Sequence, residues 1–84
     1  MPMRILLIED DKKLSGMLAD GLTRWGYECR SVGDFASVME DFAQYEPHLV
    51  LMDINLPAYD GFYWCGRIRQ VSKVPVLFLS ARDT

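Results

Sequence analysis

Apolar residues fall along this chain in two rhythms. Short unbroken runs, Ile5-Leu6-Leu7-Ile8, Leu49-Val50-Leu51-Met52 and Val76-Leu77-Phe78-Leu79, are separated by longer stretches in which apolar positions recur every third or fourth residue. Such runs are too short for helices and predict strands buried on both faces, as in the middle of a parallel sheet. The first strand, from Arg4 to Ile8, ends abruptly at Glu9-Asp10-Asp11. Asp11 can cap a helix with Leu14, Met17, Leu18, Leu22 and Trp25 on its buried face and Gly26 as its stop. Residues 27–32 alternate weakly, as a short edge strand would.

A second helix is predicted from Phe35 to about Tyr45, capped by Asp34, with Phe35, Val38, Met39 and Phe42 facing inward; Glu46-Pro47 ends it. The key strand follows at residues 48–52, and directly after it stands a single carboxylate, Asp53, then a loop with Pro57 and the turn pair Asp60-Gly61. A third helix begins after Gly61 with Phe62, Cys65, Ile68 and Val71 on one face. The fourth strand spans residues 76–79, with Pro75 near its start, where proline is tolerated. Gly16, Gly21 and Gly66 fall inside predicted helices at a cost of about 1 kcal/mol each against alanine, for which close helix packing is one explanation. Strands alternating with helices predict right-handed crossovers and an α/β fold, an open parallel sheet wound on both faces by helices.

At 84 residues the chain forms at most one small domain, and half of its residues are hydrophobic, which excludes disorder. A net charge of -3 and a pI near 4.9, with no run of Lys or Arg, argue against direct nucleic-acid binding. The start of the chain lacks the pattern of a signal peptide, so a cytoplasmic location is expected, with no membrane association. Cys29 and Cys65 lack CxxC spacing and His neighbours, and are expected to be reduced and mostly buried. His48, at a strand start, is expected to be structural.

All strands of a parallel sheet point the same way, so residues just after strands one, three and four gather on one rim, where open α/β sheets place their chemistry. Glu9, Asp10, Asp53 and Ser80 are then neighbours. Three clustered carboxylates repel one another unless a cation neutralises them, and Mg²⁺ suits an all-oxygen site that keeps waters to share with a phosphoryl group. Such a site suits phosphoryl transfer, with Asp53 as nucleophile, Asp10 as main ion ligand and the Ser80 hydroxyl as a hydrogen-bond donor. The plainer alternative is that strand-end acids cap the next helix or solvate a loop.

The segments Ile5-Leu6-Leu7-Ile8-Glu9-Asp10-Asp11, Leu51-Met52-Asp53-Ile54-Asn55-Leu56-Pro57 with Asp60-Gly61, and Pro75-Val76-Leu77-Phe78-Leu79-Ser80-Ala81-Arg82 resemble, in order and spacing, the receiver (CheY-like) domain of bacterial two-component response regulators. The resemblance runs from residue 3 to the end of the chain. It implies the flavodoxin-like strand order 2-1-3-4, a phosphoryl group taken from a sensor histidine kinase onto Asp53, and Mg²⁺ held by Glu9, Asp10, Asp53 and the backbone carbonyl of Asn55. Ser80 would be the switch hydroxyl, and the domain would accept phosphate to switch a transcriptional output without being a turnover enzyme. The segment Tyr59-Asp60-Gly61-Phe62-Tyr63-Trp64-Cys65 is further similar to OmpR/PhoB-type regulators of bacitracin and antimicrobial-peptide resistance.

Residues 1–84 are thus expected to be an incomplete receiver domain, lacking the fifth strand, the last two helices, the lysine after the fifth strand and the switch aromatic of the full fold. The edge of strand four would then be open, favouring self-association, and phosphoryl uptake would be impaired. DNA would be reached only through an effector domain absent from this chain. Lys73 lies at the wrong end of the sheet to replace the missing lysine. Of the aromatic cluster Tyr59, Phe62, Tyr63 and Trp64, Phe62 is expected in the core and the others as loop cover, with a protein-docking surface as the alternative. Two other function classes fit less well. A haloacid-dehalogenase-like phosphatase needs an acid where Asn55 stands, and a flavin binder needs a Ser/Thr/Gly-rich first loop instead of Glu9-Asp10-Asp11. A non-signalling interaction fragment is the remaining alternative.

Overall fold

The computed structural model describes residues 2–79. Its elements are β1 (Arg4–Ile8), α1 (Lys12–Arg24), β2 (Glu28–Ser31), α2 (Val38–Tyr45), β3 (Leu49–Asp53), α3 (Gly61–Arg69) and β4 (Val76–Leu79). The four strands form one parallel sheet in the order β2-β1-β3-β4, the α/β architecture and strand order expected. Among the described residues no helix is long and apolar enough to cross a membrane.

The unbroken apolar runs are explained by a core on each side of the sheet. Alternate residues of a strand point to opposite faces, so Leu6, Ile8, Val50 and Met52 meet Val38 and Phe42 of α2 and Trp64 and Ile68 of α3. Ile5, Leu7 and Leu51 face the other way, against Leu18 and Leu22 of α1. Ile5, Leu6, Leu7, Ile8, Val50 and Met52 are all buried, which identifies β1 and β3 as the central strands. At about 25 cal/mol per Å² of apolar surface removed from water, these two strands contribute the largest share of hydrophobic stabilisation.

Local signals hold where the chain turns. Asp11 caps α1 by accepting from the Leu14 amide at 3.1 Å, and Gly26 follows the helix with φ of 93°, a conformation that glycine adopts without a steric cost. Glu46 ends α2 in the left-handed region, next to Pro47, and the Arg4 side chain donates to the carbonyls of Tyr45 at 3.1 Å and Glu46 at 2.7 Å. Those carbonyls belong to the helix end that has no intrahelical donor for them. His48 is structural, as expected: its Nδ1 accepts from the Arg4 amide at 2.9 Å.

Four expectations need correction. Trp25 is 81% exposed and Met17 65% exposed, although both were placed on the buried face of α1. Trp25 lies beyond the last helical residue, where the chain has already turned, and Met17 points away from the Leu18-Leu22 stripe. Helix α2 starts at Val38 instead of Phe35, because Asp34 bonds the Ala36 amide (3.0 Å) and Ser37 Oγ (3.1 Å), forming a side-chain turn that competes with a helix start. On α3 the buried residues are Gly61, Trp64 and Ile68, while Phe62 is 58% exposed and Val71 is exposed beyond the helix end. Residues spaced strictly by three drift around a helix of 3.6 residues per turn, so Phe62 and Val71 leave the face that Ile68 occupies. Finally, Gly16, Gly21 and Gly66 have open space around them, so helix packing does not account for them.

Candidate functional site

Pairing places Ile8 of β1 level with Met52 of β3, so Glu9 and Asp53 leave the sheet at the same height. Carboxylate oxygens of Glu9, Asp10 and Asp53 lie within 4.8 Å of one another. Residues 43 or more positions apart in sequence therefore meet because two parallel strands end together. Asp53 is the last residue of β3, half-buried, one place earlier relative to the strand end than the sequence pattern placed it. Pairing of Asp53 with Leu79 brings β4 to the same rim. Ser80, the expected switch hydroxyl, lies outside the described residues.

Each acid is held differently. Glu9 is buried, and its Oε2 accepts from the Asp11 amide at 3.0 Å. Asp10 is exposed. Asp53 Oδ1 accepts from the Asn55 amide at 3.3 Å, which turns the start of the loop around the carboxylate. Burial pushes the Glu9 carboxyl up to about 7; the Asp11 amide opposes that rise, and the neighbouring Asp53 and Asp10 carboxylates add to it. Among the described residues the ion pair found joins Arg30 to Asp41 at 3.6 Å, and none of them pairs a cation with the three acids.

Whether this group suits Mg²⁺ follows from its donors. All three offer hard oxygen ligands, and oxygens bound to one Mg²⁺ at about 2.1 Å are at most about 4.2 Å apart. Adjacent ligands of an octahedral ion are about 3.0 Å apart, so a spread of up to 4.8 Å has to close by about 0.6 Å for an opposite pair and by up to about 1.8 Å for an adjacent one. A divalent cation would also relieve the repulsion that raises Glu9. A cleft of about 360 Å³ opens beside Glu9 and Asp10, on the side of α1 and β2, bounded by Lys12, Ser15, Ser31 and Phe35. One polar contact there has no signal in the apolar pattern. Ser15, buried on the sheet-facing side of α1, shares a hydrogen bond of 3.0 Å with Ser31 of β2.

The aromatic cluster divides in a way the sequence did not suggest. Trp64 is buried, Tyr59 stacks on Tyr63 with ring centroids 4.2 Å apart, and exposed Phe62 leans on Phe78 of β4 at 4.9 Å. Cys29 and Cys65 are free and half-buried.

Comparison with known proteins shows the family to which this fold belongs. Response regulator protein GraR of Staphylococcus aureus is 48% identical over 81 residues, covering 96% of this chain and 36% of that protein. The chain thus spans about a third of the length of that regulator. The N-terminal domain of the nisin resistance regulator NsrR, a lantibiotic response regulator, superposes with a TM-score of 0.88 at 34% identity, over 99% of this chain and 71% of that one. Response regulator TrrA of Thermotoga maritima, solved in complex with Mg²⁺-BeF, superposes with a TM-score of 0.87 at 27% identity, over 96% of this chain and 71% of that one. With residues 5–84 also matching the model of the response regulator receiver domain, this chain belongs to the receiver domain family of two-component response regulators.

Proposed function

We propose that this chain is an incomplete receiver domain spanning residues 1–84, and that Asp53 accepts a phosphoryl group while Glu9, Asp10, Asp53 and the Asn55 backbone carbonyl hold Mg²⁺. The observation that carries this reading is the convergence of three carboxylates, 4.8 Å or less apart, at the carboxyl ends of β1 and β3. Bound Mg²⁺ would supply positive charge to the phosphoryl oxygens. Glu9 and Asp10 would hold that charge beside Asp53, and the Asn55 amide, donating to Asp53 Oδ1, would leave the other carboxylate oxygen to attack phosphorus. A bond forms between that oxygen and phosphorus as the bond to the donor breaks, and the donor leaves with the electron pair. When the donor is a phosphohistidine of a sensor kinase, the leaving group is imidazole, which takes up a proton. The product is an acyl phosphate on Asp53, and the Ser80 hydroxyl would then turn toward it.

The setting that fits is cytoplasmic, with DNA reached through an effector domain outside this sequence, as in a regulator of OmpR/PhoB type. GraR, at 48% identity, supports the kinship. The TrrA complex with Mg²⁺-BeF supports the choice of ion. Self-association is a further part of this proposal. Leu77 is 55% and Phe78 38% exposed on β4, an edge strand of the described sheet, and such an edge pairs readily with another chain.

The test is incubation with acetyl phosphate and Mg²⁺, read by intact mass, for the wild type and Asp53→Asn. Slow and incomplete addition of one phosphoryl group to the wild type, the uptake of an incomplete domain being impaired, and none to the variant is the expected outcome. Equal uptake by both would remove Asp53 from the role.

A further inference from the structure

Gly61 opens α3, and its surroundings bear on Asp53. The residue is buried, and its amide donates to the Ile54 carbonyl at 2.8 Å, drawing the loop of residues 54–60 back onto the end of β3. A Cβ built at this position would fall inside contact distance of the Asp53 carbonyl oxygen, 3.0 Å from Met52 Cγ and 3.1 Å from the Asp53 carbonyl carbon. Two of those neighbours are backbone atoms, which cannot rotate aside as a side-chain tip can. Gly66, in the same helix, has nothing within 4 Å of such a Cβ, so the crowding is particular to the helix start beside Asp53. The φ of Gly61 lies outside the left-handed region, so the position requires the absence of a side chain and not glycine's conformational freedom.

Neither side of this contact withdraws easily. Helix α3 is seated by Trp64 and Ile68, both buried, and its first turn is tied where Asp60 Oδ1 accepts from the Tyr63 amide at 2.8 Å. Strand β3 is paired with β1 on one side and β4 on the other. Pairing with β1 ends at Met52, which leaves Asp53 flanked by β4 alone, so a side chain at 61 would displace the Asp53 peptide and, with it, the carboxylate.

The geometry points to Gly61 as a positioning residue for Asp53: its missing side chain lets α3 begin against the Asp53 backbone and so sets where the carboxylate sits relative to Glu9 and Asp10. This rests on the reading of Asp53 as an Mg²⁺ ligand and phosphoacceptor. Mg²⁺ titration of ¹⁵N-labelled protein, followed at the amides of Asp10 and Asp53, tests it in the wild type, Gly61→Ala and Gly66→Ala. Folded Gly61→Ala should bind Mg²⁺ about tenfold more weakly or worse, the loss typical when a group that orients a metal ligand is removed, whereas Gly66→Ala should match the wild type. A lower melting temperature for Gly61→Ala with wild-type Mg²⁺ affinity would mean a structural role alone and would overturn the inference. If Gly61→Ala does not fold, replacing the Gly61 amide by an ester removes the donor to Ile54 without adding a side chain. A severalfold weaker Mg²⁺ affinity supports positioning, and an unchanged affinity overturns it. A wild-type protein whose Asp10 and Asp53 amides ignore Mg²⁺ would instead remove the reading of the site on which the inference stands.

Discussion

Replacing Asp53 by Asn should stabilise this protein when Mg²⁺ is absent. The substitution keeps the shape of the side chain and the oxygen that accepts from the Asn55 amide at 3.3 Å, and removes one negative charge from a group whose oxygens lie within 4.8 Å of one another. Two full charges at 4.8 Å repel by about 3.5 kcal/mol at an effective dielectric of about 20 and by about half that at twice the dielectric. Asp10 is exposed and Asp53 half-buried, so solvent screens part of the repulsion, and Glu9 is partly protonated near pH 7 because its carboxyl is pushed up to about 7. A gain of about 1 to 2 kcal/mol at pH 8 remains, which for a domain of this size raises the melting temperature by about 4 to 16 °C. Thermal unfolding followed by circular dichroism, with EDTA and then with Mg²⁺, is the assay. Mg²⁺ should reverse the order: at about 100 times its Kd it adds about 2.7 kcal/mol to the wild type, while the variant, short of one anionic ligand, gains far less. The plainer view, in which Asp53 only caps the loop, predicts no stabilisation in EDTA. A melting temperature for Asp53→Asn at or below that of the wild type in EDTA would refute the electrostatic account of the cluster.

Other consequences follow from the same packing and charges. The Glu9 carboxyl is raised from 4.5 to about 7 in the folded protein, so its contribution to stability is complete below pH 4.5 and is lost as pH rises through about 7; Mg²⁺ takes the ionised form, and calorimetry should show its affinity rising from pH 6 to pH 8 with proton release. Gly66→Ala should stabilise by about 0.5 to 1 kcal/mol, since the site is helical and open, while Gly26→Ala should destabilise by about 1 kcal/mol or more because φ is 93°; urea unfolding of both variants measures the contrast. Leu77→Lys should lower any concentration-dependent association seen by light scattering, by placing a charge on the exposed β4 edge, and an unchanged apparent mass would show that β4 is not the contact.

Much of this molecule was legible in one dimension, for reasons that can be named. Unbroken apolar runs at Ile5 to Ile8 and Leu49 to Met52 can only be strands covered on both faces, and the side chains of both runs do pack alternately into two cores. Asp11 announced a helix start because a carboxylate there satisfies amides that the helix itself cannot, and Asp60, read only as half of a turn, does the same for α3. Acids directly after two such strands, in a sheet whose crossovers make it parallel, had to share a rim. What misled was periodicity taken alone: Phe62 and Val71 share a spacing with Ile68 but not its face, and Asp34 served a turn rather than a helix.

Tertiary structure alone decided the rest. How near Glu9, Asp10 and Asp53 come, how far burial raises Glu9, and that a hydroxyl pair joins Ser15 to Ser31 all depend on the register between strands and the seating of α1, which no local pattern encodes. Gly61 illustrates the division most directly. The sequence marks it as half of a turn, because Asp-Gly favours one, but only the approach of α3 to the end of β3 shows that a side chain there would collide with the backbone of Asp53. Patterns along a chain record what each residue prefers locally, whereas distances between side chains remote in sequence are set by the packing of whole elements.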